Sequence, residues 1–164
     1  GGFREPFLVR WPGKVPAGTV SDQVICLTDV LATLARVLDV PLPKGNAEDS
    51  FDVLRAFTET KTGPPVRDHV ILHAAAATYA IRMGDWKLIE RVDAPKFEHR
   101  NRAAAAKAAK RAKSTPKQDD LFNLKDDPSE AKDVFSANAG RAAQMKKTLT
   151  EARDRGHTRP DAGK

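Results

Sequence analysis

The sequence predicts an α+β fold: one strand–helix pair, then a small antiparallel sheet of three to four strands closed by a packed C-terminal helix. Three observations predict it. Apolar residues recur at three- and four-residue steps from Val24 to Leu38, the period of a helix with one apolar face. Between Val70 and Arg91 the period shortens to two, around a Gly84–Asp85 pair suited to a hairpin turn. Ser136 to Arg155 returns to helical spacing, with Ala139, Ala142 or Ala143, Met145 and Leu149 as a thin apolar face.

In chain order, Phe7 to Trp11 is a short apolar run closed by Pro6 and by Pro12-Gly13, which predicts a buried or half-buried strand. Pro12 and Pro16 exclude helix in the next segment. Ser21 or Asp22 can cap the first helix, whose stripe of Val24, Leu27, Leu31, Leu34 and Leu38 is widened by Ile25, Val30 and Val37. So wide a stripe predicts a helix lying deep against a sheet, ended by Pro41 and Pro43. Ala47 to Phe57 reads as a shorter helix with Phe51, Leu54 and Phe57 on one face, and Lys61 to Pro65 as a connector. Val70–His73, Thr78–Met83 and Trp86–Arg91 read as strands, with Tyr79, Ile81 and Met83 on one face of the second. In the third, Trp86, Leu88 and Glu90 share a face opposite Lys87, Ile89 and Arg91. Leu121 to Leu124 is a further strand that can pair with the hairpin, Asp126-Asp127-Pro128 a turn, and the chain from Gly156 a fraying tail. The first strand has no parallel partner in the sequence, so its pair reads as the detached edge of an α/β sheet. Together with an opening Gly1 in place of Met, this gives the expectation that the chain begins inside something larger.

Composition narrows the class. The chain has 164 residues, 40% apolar and 30% charged, about one domain's worth. No run approaches the ~18 apolar residues of a membrane span. A single cysteine, Cys26, excludes an internal disulfide, and no Cys/His cluster is spaced for zinc. The formal charge of +6 is unevenly placed: residues 91–117 hold nine bases against Asp93 and Glu98, a net +7, which leaves −1 elsewhere. The chain is a near-neutral domain with one basic insert rich in Ala, Lys and Arg.

The residues themselves offer no catalytic constellation. Cys26 sits beside the apolar stripe and reads as a small core residue. Asp22 has a capping role, Asp29 reads as a structural hydrogen-bonding group, and Asp126-Asp127 before a proline as a turn rather than a calcium site. His69, His73, His99 and His157 are dispersed, and the β pattern around the first two argues against a helical ligand pair. No phosphate loop, dinucleotide fingerprint or nucleophile elbow occurs.

Four stretches taken in order carry a resemblance. Gly1-Gly-Phe-Arg-Glu-Pro6 runs into Phe7-Leu-Val-Arg-Trp-Pro-Gly13, and Ser21-Asp-Gln23 leads into Thr28-Asp-Val-Leu-Ala-Thr-Leu34 and Val40-Pro-Leu-Pro43. Ala80-Ile-Arg-Met-Gly-Asp-Trp-Lys-Leu-Ile89 and Asp120-Leu-Phe-Asn-Leu-Lys-Asp-Asp-Pro-Ser-Glu130 follow. They resemble the C-terminal portion of type I sulfatases, the arylsulfatase-like enzymes of the alkaline phosphatase superfamily, over nearly the whole chain apart from the insert and tail. The resemblance implies that residues 1–60 form the C-terminal edge of a large α/β domain, 61–155 a small subdomain carrying the insert at 91–117, and 156–164 a tail. It implies hydrolysis of aryl or carbohydrate sulfate esters by a calcium- and formylglycine-dependent enzyme, periplasmic or secreted, whose catalytic residues precede Gly1. Cys26 lacks the C-x-P-S-R context of the formylglycine precursor, so neither cofactor nor catalytic residue is expected in this chain. Ala32 stands where the family usually has Pro, and Asp39 where Gly is common.

The expected partners are the N-terminal catalytic part of the same sulfatase and a sulfated small molecule or polysaccharide. His73, Tyr79 and Arg91 are candidate residues of the substrate-cleft rim, and Lys107, Lys110, Arg111 and Lys113 candidate polyanion contacts. The alternative reading is a stand-alone polyanion-binding module using 91–117. Phe97 is that segment's sole aromatic residue, which argues against nucleic acid.

Overall fold

A computed structural model of the chain describes residues 4–59, 63–74, 78–90 and 119–159. It divides into two compact units, Gly1–Val70 with Thr150–Lys164, and Ile71–Leu149.

The first unit carries helix α1 (Asp29–Val37) and the single turn α2 (Arg55–Thr58). Three sequence expectations fail here, each for a physical reason. Residues 7–11 form no strand: Phe7 stacks on Phe57 with ring centroids 5.5 Å apart, while Leu8 is 94% exposed. A strand needs a neighbour for its main-chain groups, and none pairs with this run among the described residues.

Helix α1 begins at Asp29, not near Ser21. The Ser21 hydroxyl accepts from the Gln23 amide, and the Gln23 side chain reaches across to the Gly63 carbonyl and the Val66 amide. These bonds hold residues 21–23 outside the helix. At its other end α1 closes in a Schellman motif: Val40 N–H donates to Ala35 O, Asp39 N–H to Arg36 O, and Asp39 takes φ +54°.

The helix expected over 47–57 shrinks to α2. Ala47 has φ +53°, and the amides of Phe51 and Val53 donate to the Asp29 carboxylate and the Thr33 hydroxyl of α1 instead of to helical carbonyls. The tail is likewise fastened as far as Arg159: Thr158 donates twice to the Asp49 carboxylate, and the Arg159 amide donates to Glu48 O.

The second unit follows the sequence closely. Strands β1 (Val70–His73), β2 (Tyr79–Met83), β3 (Trp86–Ile89) and β4 (Asp120–Asn123) form one sheet in the order β1-β2-β3-β4. The β2–β3 and β3–β4 pairings are antiparallel. Gly84 takes φ +57° while Asp85 does not turn positive, the arrangement of a hairpin with glycine first. The register sets Ile81 opposite Leu88 and Leu88 opposite Leu121, so three fully buried side chains line one face.

Helix α3 (Ala139–Arg155), entered through a 3₁₀ turn at Ser136–Asn138, supplies Ala142, Met145 and Leu149 to that core at helical spacing. Ala142 rather than Ala143 faces inward, and Ala139 is exposed. The segment returning from β4 is tied to that strand, with Val134 N–H donating to Leu121 O and Leu121 N–H to the Asp133 carboxylate.

Candidate functional site

Among the described residues a dense polar cluster lies inside the first unit, around Asp29. Its carboxylate is fully buried and accepts from Cys26 N (2.7 Å), Phe51 N (3.1 Å) and, through both oxygens, the Arg67 guanidinium at 2.6 and 2.7 Å. Arg67 is buried too, lies over the Phe51 ring at 4.5 Å, and donates through Nε to the His69 carbonyl at 2.8 Å. Thr33 donates to Asp29 O and accepts from Val53 N, while Ser50 Oγ accepts from Ala32 N. Four stretches of chain (26–33, 50–53, 67 and 69) are thereby joined by polar bonds.

The reading of Asp29 as a structural hydrogen-bonding group is met. Its ion-pair partner Arg67 was not legible, because the two lie 38 residues apart and no local pattern marks an arginine for burial. His69 closes the cluster. Its imidazole is held below the ordinary histidine value of 6.5, first by burial and then by the Arg67 guanidinium. Arg155 adds to the lowering and Asp68 opposes it.

Two of the predicted rim residues, His73 and Tyr79, fall in the second unit. His73 ends β1 and is exposed; Tyr79 begins β2, and the two rings stack at 4.4 Å with 14° between their planes. Ala74 N–H donates to Thr78 O beside them, so the two rings face each other from neighbouring strands. Tyr79 also packs against the core of the sheet. Arg91, Lys107, Lys110, Arg111 and Lys113 lie outside the described residues.

The stem from which 91–117 departs is described, however. Glu90 and Asp119 are both buried, one step beyond the Ile89–Asp120 pair of the register. Lys146 of α3 serves both, at 2.7 Å from Asp119 and 4.0 Å from Glu90.

Calcium needs several converging oxygens. Among the described residues no group of three or more His, Cys, Asp or Glu side chains is placed to hold a metal ion. The paired Asp126 and Asp127 are committed to the turn. Asp126 accepts from the Asn123 side-chain Nδ2, and Asp127 accepts from the Ser129 hydroxyl and the Lys132 main-chain amide. Those bonds, the Lys132 amide foremost, hold the Asp127 carboxyl below the ordinary aspartate range. Cys26 is half-buried with its amide on Asp29. These residues fit neither calcium nor a formylglycine precursor.

The described residues thus comprise a layer of antiparallel strands packed on one long helix and, earlier in the chain, a helical segment tied by a buried ion pair. Over 94% of its length the chain is 30% identical to an N-acetylgalactosamine-6-O-sulfatase of Bacteroides thetaiotaomicron, of which it covers 28%. Human arylsulfatase G is 27% identical over 80% of the chain, matched along 24% of its own length. A structure solved in work on glycosaminoglycan metabolism by Bacteroides thetaiotaomicron superposes with a TM-score of 0.71 at 28% identity, over 91% of this chain and 29% of that one. No protein-family profile matches. The chain belongs with the sulfatases, as the counterpart of their C-terminal portion, and spans under a third of the length of these relatives.

Proposed function

We propose that this chain is the C-terminal portion of a sulfate-ester hydrolase, in which it completes the fold and borders the substrate cleft while the reaction is carried by the N-terminal catalytic part. The observation that carries this reading is the inside-out character of α1. Its buried residues are Asp29, Ala32 and Thr33, whereas Leu31 and Leu34 are 57% and 52% exposed and Leu27, Val30 and Leu38 extend the same surface.

A monomeric surface seldom leaves so continuous a row of leucines in water. The domain division proposed with it takes residues 1–60 as the edge of the large domain, 61–155 as the small subdomain and 156–164 as a tail. His73, Tyr79 and Arg91 are proposed for the rim, where the His73–Tyr79 stack offers a flat face to a sugar ring. Lys107, Lys110, Arg111 and Lys113 are proposed to attract sulfated polymers over a distance that salt shortens.

The test is Leu31→Glu with Leu34→Glu in the protein that includes the catalytic part, read by hydrolysis of a chromogenic aryl sulfate and by melting. Activity and solubility are expected to fall at least tenfold. In the chain alone the same pair leaves the melting temperature within a few degrees, since neither side chain is buried there. Wild-type activity and melting in the doubly substituted enzyme would refute the docking role of α1.

A further inference from the structure

We propose that His69 is an acid-sensitive latch on the Asp29–Arg67 anchor, compatible with it while neutral and opposed to it once protonated. The inference rests on the first unit alone and is independent of the sulfatase reading. His69 is 9% exposed, and its Nε2 atom is buried without a hydrogen-bond partner.

The charged groups around the ring are unevenly matched. Arg67 precedes it by two residues and grips its carbonyl, and Arg155 approaches from the end of α3. Among the described residues Asp68 is the carboxylate that acts on it, and that side chain belongs to an exposed residue. Asp29, joined to His69 only through Arg67, has both oxygens on that guanidinium. A proton placed on Nε2 therefore creates a buried donor without an acceptor and a cation beside two guanidinium groups. The cheapest relief is to open the cluster and let the ring meet water. That opening separates 67–69 from α1 and from the 50–53 loop.

The sign is fixed by burial. The folded-state value lies below the ordinary 6.5, so the native state binds fewer protons than the unfolded chain just under that pH. Stability is unaffected well above 6.5, declines as pH falls through 6.5 towards the lower folded value, and levels off beneath it. One such proton lowers the folded-to-unfolded ratio by up to about tenfold per pH unit within the window.

The experiment compares the full chain with His69→Gln, which keeps a polar side chain but cannot titrate. Urea unfolding is measured from pH 7.5 to 5, together with NMR titration of the histidine rings and hydrogen exchange at the Phe51 amide, the donor to Asp29. Wild type is expected to lose stability relative to the variant as pH falls below 6.5, up to about tenfold per unit. The His69 ring is expected to titrate below 6.5, with Phe51 exchange accelerating through the same range. Parallel pH curves for the two proteins, or a ring that titrates at or above 6.5, overturn the proposal. Should His69→Gln not fold, the wild-type ring titration and Phe51 exchange decide by themselves, and protection that stays constant through the ring's titration overturns it.

Discussion

Replacing Asp29 by Ala tests how the first unit is held. The carboxylate has four close polar contacts and no exposure, and the Arg67 side chain facing it is 2% exposed. Deleting the anion leaves a buried guanidinium unpaired, which costs roughly 3–5 kcal/mol. The amides of Cys26 and Phe51 lose their acceptor as well, at about 1–3 kcal/mol each where water cannot replace it. Together these exceed ~5 kcal/mol, a large share of the ~5–15 kcal/mol by which small domains are stable.

The sharper statement concerns the double variant. Arg67→Met alone strands the carboxylate and costs about 3–5 kcal/mol, but Asp29→Ala with Arg67→Met strands no charge at all. It should be more stable than Asp29→Ala by roughly 2–3 kcal/mol and still weaker than wild type, because the two amides stay orphaned. Equilibrium urea unfolding of the four proteins, followed by circular dichroism, reads the cycle. A double variant whose loss equals the sum of the two single losses refutes the reasoning.

Three further outcomes follow from single positions. Asp39→Gly should stabilise the chain by about 0.5–1 kcal/mol, because the Schellman position holds Asp39 at φ +54°, a conformation that charges any Cβ and spares glycine; thermal unfolding checks it, and an unchanged or lower melting temperature counts against it. Leu88→Ala should cost about 3–4 kcal/mol, since Leu88 is fully buried between Ile81 and Leu121 in the sheet register. Leu31→Ala on the exposed face of α1 should change urea stability by less than ~0.5 kcal/mol in the chain alone.

The second unit was legible because its determinants are local. Gly84-Asp85 fixes the hairpin register, alternation puts Tyr79, Ile81 and Met83 on one face, and Ala142, Met145 and Leu149 recur at the helical period. The first unit was misread where its main-chain donors are satisfied at long range. Phe51, Leu54 and Phe57 do have helical spacing, yet the Phe51 and Val53 amides go to Asp29 and Thr33, about twenty residues away, and no window of sequence reports that. The family habit of Gly at position 39 was a usable clue to a left-handed cap. His69 carried no signal, because what distinguishes it is an unpaired nitrogen among arginines, a property of the folded cluster only. The resemblance located the chain among sulfatases and at their C-terminal end, which composition and periodicity could not do.

The first helix shows why a correct period can still give a wrong interior. Amphipathic spacing says that one face of α1 is apolar; it does not say that the apolar face is buried within the same unit. Here the inward face is Asp29, Ala32 and Thr33, small and hydrogen-bonding, and the leucines point out. Polar contacts suit that inward position because they are directional. The Ser50 hydroxyl on Ala32 N, the Thr33 hydroxyl under Val53 N and the Asp29 carboxylate on Arg67 admit one rotation of the helix about its axis, whereas an apolar contact would tolerate several. The outward face then presents Leu27, Leu31, Leu34 and Leu38 in a fixed direction. Those four side chains are already partly covered, so finishing their burial is worth ~1–2 kcal/mol each, and a catalytic part that docks there gains on the order of 5 kcal/mol before the entropy of association is subtracted. If the proposed docking holds, the Asp29 anchor would govern it without touching the partner. Asp29→Ala should then weaken association with the proposed catalytic part even at a temperature where α1 remains helical, because the helix loses its fixed rotation and the leucine face its fixed aim, while the leucines keep their hydrophobicity.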